Sequence, residues 1–190
     1  MFEVGIAEAK KAAKSDKLTR AQQADLQEVL DYLGTAGDGN GVKISFGSLG
    51  NDATGQLIGN NSIQIDMARI IENSKTDESF HLNYSLNAEI GGVGIHEGRH
   101  GINGDYRKYK KDQLSLALSE SRLTETKAYT SQSFVFKGLG VNSSIAPFRN
   151  METTGYSAVD IDTVRQSGIR NSVDLNLIIL EKKLRGEDWK

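Results

Sequence analysis

The sequence predicts a single α+β domain, mostly helical, with a small mixed or antiparallel sheet. Three observations predict it. Apolar residues recur at helical spacing, first at Ala21, Leu26, Val29, Leu30 and Leu33. Between residues 34 and 59 the chain turns to Gly, Asn, Asp and Ser around a β-type run, Val42-Lys43-Ile44-Ser45-Phe46. With 190 residues, 37% of them hydrophobic, one core can be buried without disulfides.

Taken in order, residues 2–14 are rich in Ala, Glu and Lys and read as a short helix. Thr19 is placed to cap a second helix, and Gly34 to stop it. Residues 1–34 thus read as a helical hairpin. A first strand covers 42–46. A second covers 62–66, where apolar and polar residues alternate as in a strand with one buried face. The intervening 55–61 reads as a hairpin or wide turn. Ser85 can cap a helix through Glu89, Ile90, Val93 and Ile95 to His100. Gly91, Gly92 and Gly94 inside it each cost up to ~1 kcal/mol of helix stability. Such a cost makes sense where another backbone passes close by. A long helix is expected over 112–136, with Leu114, Leu118, Leu123 and Ala128 as apolar surface. Residues 138–155 hold the single proline, Pro147, and read as loop. Two helices near 157–166 and 171–184 complete a C-terminal unit over 155–186. The chemistry falls in a core of 42–136, within one domain of 1–190.

Composition excludes several functions. A net charge of −2 with 25% charged residues gives neither a nucleic-acid footprint nor a membrane-seeking surface. The basic run Arg107-Lys108-Tyr109-Lys110-Lys111 reads as a solvated turn. The absence of cysteine removes disulfide scaffolds, thiol catalysis and thiolate-held zinc. No apolar run approaches the ~18 residues of a membrane span. Met1-Phe2-Glu3-Val4-Gly5 lacks the basic-then-apolar pattern of a signal peptide. The glycine-rich segments lack phosphate-loop spacing. The expectation is a soluble protein without nucleic-acid or membrane partners, equally consistent with a fragment of a longer chain.

The motif that carries chemistry is His96-Glu97-Gly98-Arg99-His100. On a helix, positions i and i+4 lie about 40° apart around the axis, one turn up. Both imidazoles can then reach one zinc ion at ~2.0–2.1 Å. Glu97 is rotated by about 100° from His96, so it does not ligate alongside them. It is placed to act as general base on a zinc-bound water whose pKa has been lowered toward ~7. Arg99 faces away from the ion and reads as structural. Read without the metal, the two histidines would be an ordinary helical pair. A zinc site with two His ligands needs a third protein ligand.

The motif resembles that of the zincin superfamily, in the branch whose third ligand is a glutamate on a second helix. Glu120 and Glu125 are the candidates; five residues apart, they point about 140° from each other, so only one can face the metal. Glu125-Thr126-Lys127-Ala128-Tyr129 resembles the Glu-x-x-Ala-Tyr pattern of zincin-like domains at the C-termini of bacterial polymorphic toxins, such as those on RHS-repeat proteins. That resemblance implies Glu125 as the ligand. The branch with three histidines in one extended motif expects Gly at 103 and His or Asp at 106. This chain has Asn103 and Tyr106, leaving Asp105 displaced as an alternative ligand.

The resemblance implies a zincin-like metallopeptidase with Zn2+ held by His96, His100 and Glu125, and Glu97 as the catalytic base. It implies a protein or peptide substrate laid along a strand before the motif helix, for which residues 62–66 are in place. As a toxin effector, the domain would be secreted or delivered into a target cell and met by a cognate immunity protein. The alternative is a non-peptidase or non-catalytic toxin or interaction domain that keeps the zinc-binding helix. Tyr106, Tyr129 and Tyr156 can each donate to an oxyanion, and His81 can assist the transition state; the sequence does not choose among them. Met151 could form a methionine turn beneath the metal, although the residues around it match that family pattern poorly, and Asp160 and Asp162 read as the start of a helix.

Overall fold

The computed structural model describes residues 1–35, 37–50, 53–76, 85–105 and 118–140; in the last segment side chains are described from residue 127 onward. His81, Tyr106, Met151, Tyr156, the side chains of Glu120 and Glu125, and the two helices expected after residue 155 lie outside the described residues. Within them the chain is α+β and mostly helical, with a small three-stranded mixed sheet.

Helices α1 (Phe2–Ala13) and α2 (Arg20–Leu33) come first. Local chemistry sets both ends of α2. Thr19 Oγ1 accepts from the Gln22 amide, and Gln22 Oε1 accepts from the Thr19 amide at 3.1 Å, closing a capping box. Gly34 at φ 65° ends the helix. Its α-carbon lies against the carboxylate of Asp38, where a side chain would collide.

Strands β1 (Lys43–Phe46), β2 (Gly55–Gly59) and β3 (Ser62–Ile65) follow. Their spatial order is β1-β3-β2, with β1 parallel and β2 antiparallel to β3. Residues 55–59, expected in a turn, are thus a strand, and only Asn60 and Asn61 turn. Leu57 opposes Ile63 across the ladder, and both are buried. Asp66, expected to end the strand, instead starts a helix. Its Oδ1 accepts from the Arg69 amide at 2.9 Å and its Oδ2 from the Leu49 amide at 3.2 Å. Helix α3 (Met67–Thr76) runs on from it, in a stretch where the sequence suggested no element.

Helix α4 (Leu86–Asn103) is the centre of the fold. Ser85 Oγ accepts from the Ala88 amide at 3.1 Å to start it, and Gly104 in the left-handed region at φ 65° stops it. Every residue from Ala88 to Gly101 is buried. Helices α1, α2 and α5 (Leu118–Leu139) pack around it, and β2 and β3 close a further side. The glycines make this crowding possible. A Cβ at Gly91 would collide with the Gly5 carbonyl of α1. A Cβ at Gly98 would lie 2.6 Å from Val29 Cγ1 of α2. The glycines cost helix propensity and are offset by the close approach of the neighbouring helices. Among the described residues no helix is long and apolar enough to cross a membrane.

Candidate metal centre

His96 and His100 sit on consecutive turns of α4, both largely buried. Their Nε2 atoms face each other at 3.1 Å, with the rings edge to face at 4.8 Å between centroids. Each ring is held from behind. His100 Nδ1 lies 2.9 Å from Asp105 Oδ2, and His96 Nδ1 lies 3.1 Å from Gln132 Oε1 on α5. The Tyr129 ring meets His96 edge-on at 4.4 Å.

These partners are compatible with one tautomer pair in which both Nε2 atoms carry no hydrogen. In it, His100 donates from Nδ1 to the Asp105 carboxylate. The Gln132 carbonyl oxygen likewise accepts from His96 Nδ1. Both Nε2 atoms then present lone pairs toward one point. At 3.1 Å, two such lone pairs are reconciled by a shared proton or a cation between them. Two zinc–nitrogen bonds of ~2.05 Å at a tetrahedral angle would span about 3.3–3.4 Å. The observed separation is within a few tenths of an ångström of that span. Backing of a ligating imidazole by a carboxylate or carbonyl on its other nitrogen is the usual pattern at such sites.

Asp105 belongs to the backing and not to the facing side. Its carboxylate is wholly buried and sits on Nδ1, across the ring from Nε2. The left-handed turn at Gly104 brings it there.

No family model, no curated protein and no solved structure matches the chain. The chemistry of the site is therefore read from its own geometry.

Glu97 is 5% exposed and lies between α4 and β2. A Cβ on Gly55 would stand 2.8 Å from Glu97 Cγ and 3.0 Å from Glu97 Oε1. The strand beside the motif glutamate is thus β2, not residues 62–66. Of those, Ser62–Ile65 form the middle strand, with both edges paired, and have no edge to offer an extended chain. Among the described residues β2 is an edge strand.

Arg99 turns away from the histidines. Its Nε donates to Ser131 Oγ at 3.0 Å, Nη1 pairs with Glu28 Oε2 at 2.6 Å, and Nη2 meets Asp25 at both its carbonyl, 3.0 Å, and its carboxylate, 2.8 Å. One buried guanidinium thereby ties α4 to α2 and α5.

Among the described residues no third His, Cys, Asp or Glu joins the pair in a metal-binding group. Glu120 and Glu125 lie on the backbone of α5. Glu125 stands seven residues before Gln132, close to two full turns, whereas Glu120 stands twelve before it, three and a third turns. Sequence reasoning missed Gln132. Nothing in the spacing marks a glutamine 36 positions from His96 as its partner.

Proposed function

We propose that the protein is a zinc-dependent peptidase of zincin type, with His96 and His100 as two ligands and Glu125 as the third. The reading rests on one observation above all: two buried Nε2 atoms face each other at 3.1 Å while each Nδ1 is held by an acceptor. Glu125 is favoured over Glu120 by helical phase. It falls in nearly the same phase of α5 as Gln132, the residue that touches His96.

When bound, the zinc supplies Lewis acidity and a water of lowered pKa. The chain supplies the rest. Glu97 accepts a proton from the attacking water and passes it to the leaving amine. Its carboxylate is buried where α4 packs on the face of β2, and the free edge of that strand is where an extended substrate could pair through its backbone. Tyr129 is the described candidate to donate to the oxyanion, and its ring also steadies His96. The Glu-x-x-Ala-Tyr pattern supports a toxin effector whose activity a cognate immunity protein would block.

The test combines metal analysis of untagged protein with a Glu97→Gln variant. Stoichiometric zinc in both, with peptide hydrolysis lost only in the variant, is expected. Full hydrolysis by Glu97→Gln would refute the assigned chemistry. Absence of zinc, with no uptake when it is added, would favour a non-catalytic interaction domain.

A further inference from the structure

We propose that Gln132 is a positioning residue that sets which nitrogen of His96 faces the metal position; the inference rests on the metal-binding reading above. The observation is the bond between the Gln132 side-chain amide and His96 Nδ1 at 3.1 Å, with Gln132 buried at 5% exposure. An amide differs from a carboxylate in presenting two unlike faces. With its oxygen toward the ring, Nδ1 carries the proton and Nε2 offers a lone pair. With its NH2 toward the ring, Nδ1 must accept. The neutral ring then carries its proton on Nε2, pointed at His100 Nε2. The first state receives a cation; the second closes the pair with a hydrogen bond between the rings. The 3.1 Å contact puts the amide where either face can meet Nδ1, and the oxygen-facing arrangement is the receptive one.

At His100 the corresponding place is taken by the carboxyl group of Asp105. His96 depends on α5, which touches its ring with Tyr129 and Gln132 together. Gln132 is not expected to contact substrate; it acts through the imidazole.

The experiment measures zinc affinity by chelator competition and the imidazole 15N shifts, for wild type, Gln132→Glu and Gln132→Leu. A carboxylate at 132 can only accept, so Gln132→Glu should bind zinc at least as tightly as wild type. Gln132→Leu offers no acceptor and should bind ~10–100-fold more weakly. In metal-free wild type, His96 should be protonated on Nδ1, and in Gln132→Leu that preference should disappear. Wild-type affinity in Gln132→Leu, or a bare His96 Nδ1 in the wild type, would overturn the proposal. A purely structural role predicts loss in both variants without rescue by glutamate, and that outcome would also overturn it. If wild type takes up no zinc, the peptidase reading fails, while the 15N shifts of the metal-free proteins still decide the role of Gln132.

Discussion

Arg99 and Glu28 pair at 2.6 Å across the interface between α4 and α2, linking positions 71 residues apart. The arginine end is buried and the glutamate end more than half exposed. The two ends should therefore respond unequally to substitution. Arg99→Ala removes bonds to Ser131, Asp25 and Glu28 together, at an expected cost of about 2–3 kcal/mol. That is less than the ~3–5 kcal/mol of a fully buried pair, because Glu28 is more than half exposed and can rehydrate. Glu28→Gln should cost no more than about 1 kcal/mol. Thermal unfolding of the two variants measures the asymmetry. Equal shifts would mean that Arg99 is not the hub.

Gly91 and Gly98 test the packing of α4. Alanine would gain ~1 kcal/mol of helix propensity at either position. At Gly98 the new methyl meets side-chain atoms of Val29 and Leu33, which can shift at a cost of ~1–3 kcal/mol. At Gly91 it meets the Gly5 backbone carbonyl, which can yield only if α1 moves. Gly91→Ala should be the more destabilising in denaturant titrations, and the reverse order would contradict the crossing of α1 over α4.

Gly55→Ala tests the seat of Glu97. The added methyl would stand 2.8 Å from both Glu97 Cγ and Val93 Cγ1. Glu97 should be pushed from its place while His96 and His100 keep theirs. If the zinc-peptidase proposal holds, peptide hydrolysis is expected to fall about tenfold or more with zinc stoichiometry unchanged. Concurrent loss of zinc would show that β2 supports the histidines and not the glutamate.

Asp38 should carry part of the acid sensitivity of the fold. Hydrogen bonds from the backbone amides of Thr35 and then Asn40 hold its carboxyl below the usual aspartate value. A depressed folded pKa means that the unfolded chain binds this proton first as pH falls. The contribution is thus complete above the unfolded value and lost as pH drops through the folded one. Asp38→Ala should be less stable than wild type near neutrality, and the two should converge in strong acid. A difference constant with pH would exclude ionisation as its source.

What could be read from the sequence follows the range of the interaction. Thr19, Gln22 and Gly34 set the ends of α2 within a few residues, so the pattern alone reveals them. His96, Glu97 and His100 gain their arrangement from helix geometry and are legible for the same reason. Strand β2 was hidden because Gly55 and Gly59 look like turn residues. They make a strand only by pairing with β3 and lying beside α4. Asp66 was hidden by ending an alternating run, although its chemistry is that of a cap. Asp105 was visible as a carboxylate near the motif, but its side of the ring depends on the turn at Gly104.

The two histidines are oriented over very different lengths of chain. Asp105 is five residues from His100, so that contact closes almost as soon as the end of the helix forms. Gln132 is 36 residues from His96, and closing that longer loop carries a larger entropic cost. A molecule in which α5 has come loose would keep one imidazole in place and release the other. On the zinc reading proposed above, metal affinity would then register the docking of α5, and an agent that detaches this helix would release the metal without touching His96 or His100.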